Sequence, residues 1–177
     1  LIGVGLVCVL FAFLYTTGPY PLSYNGWGDI LVLVFFGFVP VGGTYYVQSL
    51  NWNNDVTVAS LLCGLVVDTL LVVNNYRDRE ADKKSGKRTV IVRFGEKFGS
   101  YLYLWLGISA TLGCLWFLRD QRYYAALLPL LYVIPHVLTW RKMVKIHSGK
   151  KLNSILGETS RNMLLFAILL SLGMILS

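Results

Sequence analysis

Asp78 and Asp82 stand four residues apart in the stretch NNYRDREADKKSGKRTVIVRFG, which runs from Asn74 to Gly95. On a helix that spacing puts both carboxylates on one face. Asn74 lies four residues before Asp78 on the same face, and Asn75, seven before Asp82, lies close to it. The outcome is a column of oxygen atoms. Two carboxylates one turn apart repel unless positive charge stands between them. Magnesium takes octahedral oxygen coordination, commonly one or two carboxylates completed by phosphates and water. The cations that follow, Lys83, Lys84, Lys87, Arg88 and Arg93, suit diphosphate oxygens. Gly86 permits a tight turn that returns Lys87 over the acidic face. The stretch therefore has the composition of half a metal–diphosphate clamp. A D-x-x-x-D pair in a charged loop also describes a solvated, salt-bridged segment, and spacing alone does not separate the two.

The elements that carry this stretch are apolar. Only 14% of the 177 residues are charged, against about 25% in soluble domains, and the mean hydropathy is +0.59. A membrane-crossing helix needs about 20 mostly apolar residues, and backbone in lipid must satisfy its own hydrogen bonds. Six runs are read as helices: about Leu1 to Tyr15, Asp29 to Leu50, Asp55 to Arg77, Phe98 to Leu118, Arg122 to Trp140 and Thr159 to Ser177. The expected fold is an all-α, multi-span transmembrane bundle forming a single domain over residues 1–177. Leu1 opens directly into an apolar run with no basic segment before it, so that run is read as a helix cut at its front and not as a signal peptide. Cys8, Cys63 and Cys114 each sit in an apolar run without a Cys or His partner nearby, which implies small buried side chains and neither a disulfide nor a zinc site.

Lys and Arg in short loops mark the cytoplasmic side. Arg77, Arg79, Lys83, Lys84, Lys87, Arg88, Arg93 and Lys97 follow the third run, and Arg141, Lys142, Lys145, Lys150 and Lys151 follow the fifth. The other side carries Arg119 and Arg122. The Asn74–Lys97 loop is therefore expected to face the cytoplasm of a bacterial inner membrane. Basic residues placed at the bilayer, with no soluble binding module, argue against nucleic acid as a partner. Pro40, with Gly42 and Gly43, and Pro129 and Pro135 break two of the helices, either to fit the bundle or to open a cavity.

The string from Asn74 to Gly95 resembles the second aspartate-rich motif of the UbiA superfamily of intramembrane prenyltransferases. The stretch YTTGPYPLSYNGWGDILVLVFFGFVPVGGTYYVQ, Tyr15 to Gln48, is similar to a loop and helix of the same branch, the one that prenylates 1,4-dihydroxy-2-naphthoate in menaquinone synthesis. The resemblance covers nearly the whole chain. It implies a nine-helix fold of which these six helices are the last, with the first aspartate-rich motif lying before Leu1. It further implies magnesium-dependent transfer of a polyprenyl chain from polyprenyl diphosphate to an aromatic acceptor, with loss of the ring carboxylate. Asp78 and Asp82 would hold magnesium, Asn74 and Asn75 would support the metal or the acceptor, and Lys83, Lys87, Arg88 and Arg93 would hold diphosphate. Arg77 fits that group equally as a partner that orients Asp78. Other aromatic acceptors (4-hydroxybenzoate, homogentisate, a porphyrin) and a non-catalytic lipid-binding or transport bundle are the alternatives. A CDP-alcohol phosphotransferase lacks support because its D-G and A-R steps are missing.

Asp68 lies within the third run, ten residues before Asp78. An ionisable group at that depth is expensive and should face the bundle interior. It is read either as an acceptor-cavity residue or as a hydrogen-bonded core carboxyl. His136 and His147 have no ligand-spaced partners and are read as packing and as solvated surface. Asp29 is read as a helix-start residue, on the cytoplasmic side from which it could also reach substrate.

Overall fold

The computed structural model describes residues 2–177. Leu1, the expected start of the first helix, lies outside them. The helices are α1 (Ile2–Thr16), α2 (Gly28–Ser49), α3 (Asn54–Lys84), α4 (Val90–Phe94), α5 (Glu96–Asp120), α6 (Tyr123–Ile146) and α7 (Lys150–Leu176), and no strand occurs among the described residues. The multi-span helical bundle is as expected, and the count is corrected. Five helices, α2, α3 and α5 to α7, are long and apolar enough to cross a membrane, while α1 has 15 residues and falls short. The short α4 lies in the stretch read as an unbroken loop.

The centre of the bundle is α3, which packs on α2, α4, α5 and α7. Its start is set by Asn53, whose side chain accepts from the Val56 N–H at 2.9 Å, with Asp55 in the first turn. Its end is a second correction. The helix does not stop at Arg77 but continues through Asp78 and Asp82 to Lys84. Arg, Glu, Ala and Lys favour helix, and the paired lysines of the last turn suit its negative end. The chain leaves the helix only at Ser85 and at Gly86, whose φ of +79° places it in the left-handed region.

Small residues let α2 approach α3 closely. A Cβ on Gly37 would lie 2.6 Å from the Ser60 carbonyl oxygen and 2.9 Å from Gly64 Cα. Such backbone-to-backbone packing is how helices associate where lipid supplies no hydrophobic drive. Between Leu33 and Gly42, α2 widens into a π-helix. Pro40 lacks an N–H and cannot continue the ordinary ladder, and the Gly43 N–H reaches back to the Phe38 carbonyl, five residues earlier.

Two buried clusters lie along α3. Val66, Cys114, Phe117, Tyr132 and Phe166 form one, and Val72, Val73, Tyr76, Tyr103, Met143 and Ile155 form the other. His136 is fully buried close to both. It stacks on Tyr103 and Tyr132 at centroid distances of 4.7 and 5.1 Å. Its Nε2 lies 3.2 Å from the Leu104 carbonyl, which only accepts, so Nε2 donates there and Nδ1 accepts from the Tyr132 hydroxyl at 3.0 Å. Packing therefore explains His136. At the far end, Asp55 accepts from Trp116 Nε1 at 2.9 Å and pairs with Arg119 and Arg122 at 3.7 and 3.5 Å, which joins the start of α3 to the α5–α6 turn.

Candidate functional site

Along α3 the residues Val67, Leu71 and Asn74 recur at helical spacing and line one wall of a hollow of about 860 Å³. Its other walls are apolar surfaces of α1, α2 and α7, including Phe11, Phe35, Phe36 and Leu156. Polar groups enter it at Tyr15, Asn74 and Ser160. Asp78 follows one turn beyond Asn74 on the same stripe, and Asp82 follows one turn beyond that. The column read from sequence thus continues the wall of an apolar cavity out to the end of the helix.

Each carboxylate of the column is met by a cation from its own neighbourhood. Arg77 grips Asp78 with two bonds, Nε to Oδ1 at 2.7 Å and Nη2 to Oδ2 at 2.6 Å. The same guanidinium donates to Asn74 Oδ1 at 2.8 Å and to Asn153 Oδ1, in the first residues of α7, at 3.0 Å. Such bidentate, charge-assisted bonds fix both partners. Asp82 is buried and pairs with Lys87 at 3.1 Å, the turn at Gly86 having returned the chain so that the Lys87 N–H also reaches the Asp82 carbonyl at 2.9 Å. The bond to Asp82 holds the Lys87 ammonium above its ordinary pKa, so Lys87 remains charged near neutral pH.

The remaining candidates are placed as follows. Lys83 and Arg88 are exposed beside the column. Arg93 donates from Nη2 to the Asn25 carbonyl at 2.7 Å, and the Arg88 N–H donates to the Tyr24 carbonyl at 2.7 Å. These two bonds pin the α1–α2 loop over the cationic turn, a contact that spacing did not suggest. Asn75 is buried and does not line the hollow. Asp68 is 2% exposed, and its Oδ1, like that of Asp29, has no hydrogen-bond partner among the described residues.

A second ion pair, beside the column on α3, ties this end of the helix to α5. Arg79, which is buried, donates to the Tyr76 carbonyl at 2.7 Å and to Glu96 at 2.9 Å. Glu96 also meets His147 at 2.7 Å. Sequence reading missed Glu96 and left His147 as free surface. Glu96→Gln would leave the buried guanidinium with only the exposed Glu80 carboxylate, at 4.0 Å, and is expected to cost about 1–3 kcal/mol, read as a fall in the unfolding midpoint of the full-length protein.

The donor set suits magnesium carried with a diphosphate. Among the described residues no group of three His, Cys, Asp or Glu side chains could cage a metal alone. Two carboxylates leave the other positions of an octahedron to phosphate oxygens and water, which is the usual arrangement for this ion.

The UbiA prenyltransferase family matches residues 1–166. A 1,4-dihydroxy-2-naphthoate octaprenyltransferase from Haemophilus influenzae is 34% identical over 177 residues, 98% of this chain and 57% of that protein. One of the same description from Bacillus subtilis is 28% identical over 181 residues, again 98% of this chain and 56% of that protein. A third, from Mycobacterium tuberculosis, is 39% identical over 117 residues, 66% of this chain and 39% of that protein. The chain thus spans little more than half the length of the curated relatives that match it end to end. No solved structure matches it significantly.

Proposed function

The chain belongs to the UbiA prenyltransferase family, and from that membership we propose that the full-length protein transfers a polyprenyl chain from its diphosphate to 1,4-dihydroxy-2-naphthoate. The observation that carries this reading is the continuity of Asn74, Asp78 and Asp82 with an apolar hollow of about 860 Å³. Such a hollow takes the lipid chain, and the polar column meets its head. Magnesium, when bound with the diphosphate, supplies positive charge against the leaving group. Asp78 and Asp82 hold that ion. Lys83, Lys87, Arg88 and Arg93 supply cations for the diphosphate oxygens, favouring the charge that develops there. The allylic carbon–oxygen bond breaks, the electron-rich ring forms the new carbon–carbon bond, and the ring carboxylate leaves as carbon dioxide. The basic residues around Asn74–Lys97 support a cytoplasmic position for this chemistry in a bacterial inner membrane.

The test is direct. Membranes carrying the complete open reading frame receive magnesium, a polyprenyl diphosphate and, separately, 1,4-dihydroxy-2-naphthoate, 4-hydroxybenzoate and homogentisate. The expected product is a prenylated naphthoquinol lacking the carboxyl mass, formed with the naphthoate alone. Transfer to another ring reassigns the acceptor. No transfer to any ring, with the donor intact, rejects the enzymatic reading.

A further inference from the structure

The closest approaches of α2 and α3 fix which of their residues stand level. A Cβ on Gly37 would lie 2.6 Å from the Ser60 carbonyl oxygen, one on Gly64 would lie 3.2 Å from Leu33 Cα, and one on Gly28 would lie 3.1 Å from Leu71 Cδ2. The two helices therefore run antiparallel, and each step back along α2 meets a step forward along α3. One turn back from Leu33 is Asp29, whose carbonyl accepts from the Leu33 N–H. One turn forward from Gly64 is Asp68, on the unbroken α3. The two carboxyl groups thus stand at one level of the seam, and the charge of Asp29 is felt at Asp68. Among the described residues each has a buried Oδ1 without a hydrogen-bond partner, and neither meets a Lys, Arg or His side chain. Asp68 is nearly inaccessible, and it lies ten residues, about 15 Å, deeper along α3 than Asp78. Two bare anions there repel, and desolvation adds to the cost. Neither carboxyl lines the hollow, and one turn away the seam is closed backbone to backbone. A hydrated metal ion has no room there, whereas a proton needs none.

We infer that Asp29 and Asp68 hold one proton between them: the carboxylic acid of one donates to the carboxylate of the other, and the bond clasps α2 to α3. Gly28, Leu31 and Val32 beside Asp29, and Val67, Leu70 and Leu71 beside Asp68, line the hollow. The clasp therefore keeps two of its walls together, and release of the proton sets two anions against each other and drives them apart. The titratable groups of the surrounding elements have their own partners. From α1 comes Tyr15, whose hydroxyl would lie 3.5 Å from a Cβ on Gly28, with Asp82 and Lys87 paired to each other beyond it. Arg93 of α4 is bound to Asn25, Tyr103 of α5 to Thr159, His136 of α6 to Tyr132 and Leu104, and Glu158 of α7 to Thr139 and Lys142. The clasp does not depend on the enzymatic reading, and neither of its tests needs turnover.

Infrared spectroscopy of the purified full-length protein near neutral pH reads the C=O stretch of a protonated carboxyl. The wild type is expected to show such a band, and Asp29→Asn and Asp68→Asn should each remove it, because an amide N–H takes over the donor role and leaves the remaining carboxylate ionised. A band that survives in Asp29→Asn assigns the proton to Asp68 alone and overturns the shared clasp. A wild type without the band overturns it before any variant is made. The unfolding midpoint supplies the second reading. A proton held by the folded pair and not by the unfolded chain adds stability that is full below the ordinary carboxyl pKa of about 4 and is gone once the pH has risen through the release of the shared proton. From about pH 5 upward to that release, the wild-type midpoint should fall against that of Asp68→Asn by about 3 °C per pH unit. Parallel curves for the wild type and both amide variants would show that no proton is linked to the pair, and the inference would fail.

Discussion

Asp82→Asn and Asp78→Asn, each made in the full-length protein, are expected to lower prenyl transfer roughly 10²- to 10³-fold, the scale of removing one preorganised charge-stabilising group from an active site. The two losses should differ in kind. Asp82 meets Lys87 at 3.1 Å and shares no other side-chain bond among the described residues. Its amide would weaken metal binding and free Lys87, so excess magnesium should restore part of the rate. Asp78 meets both arms of Arg77, and the same guanidinium steadies Asn74 and Asn153. An amide there offers one acceptor and one clashing donor, so the fork loosens and the acceptor KM should rise together with the magnesium requirement. Initial rates across a magnesium titration, at saturating and limiting acceptor, separate the two patterns. Near-normal turnover in either variant would remove that aspartate from the site.

Gly37→Leu should be the most damaging change away from the site. Even the first added carbon would lie 2.6 Å from the Ser60 carbonyl oxygen and 2.9 Å from Gly64 Cα. Both neighbours are backbone of α3, which cannot swing aside as a side chain would. Overpacking commonly costs about 1–3 kcal/mol and occasionally more, and here it must push apart the helices that carry Leu31, Val32 and Phe35 on one wall of the hollow and Val67 and Leu71 on another. The expected result is little folded protein in membranes and a lowered unfolding midpoint in what remains. Gly43→Ala is the control. A Cβ there meets nothing within 4 Å and the backbone is helical, so this change should be neutral or slightly stabilising. Equal loss in both variants would show that helix propensity, and not the close approach, governs this region.

The sequence disclosed what depends on long-range averages and on helical phase. Apolar length marked six helices, five of them long enough to cross a membrane, and the four-residue step put Asp78 and Asp82 in one column. The return of Lys87 over Asp82 was legible from Gly86 because turn geometry is local. The continuation of α3 to Lys84 was not, since a run of charges looks like a loop to a hydropathy reading although its residues favour helix. The five residues of α4 are too few, and too rich in β-branched side chains, to announce a helix. Asn153 and Ser160 were invisible for another reason. Asn153 lies 76 residues from the arginine that it binds, and no spacing rule links α7 to α3 before the bundle is assembled. Glu96 was hidden likewise, because its partners Arg79 and His147 arrive from two other elements.

The π-helical stretch in α2 has a consequence for how that helix can be read. Each of its wider turns holds one more residue than an ordinary turn, so Gly28–Val32 and Gly43–Ser49 are out of step with the phase that a uniform helix would give them. A helical wheel drawn straight through residues 28–49 would assign the wrong neighbours beyond Pro40.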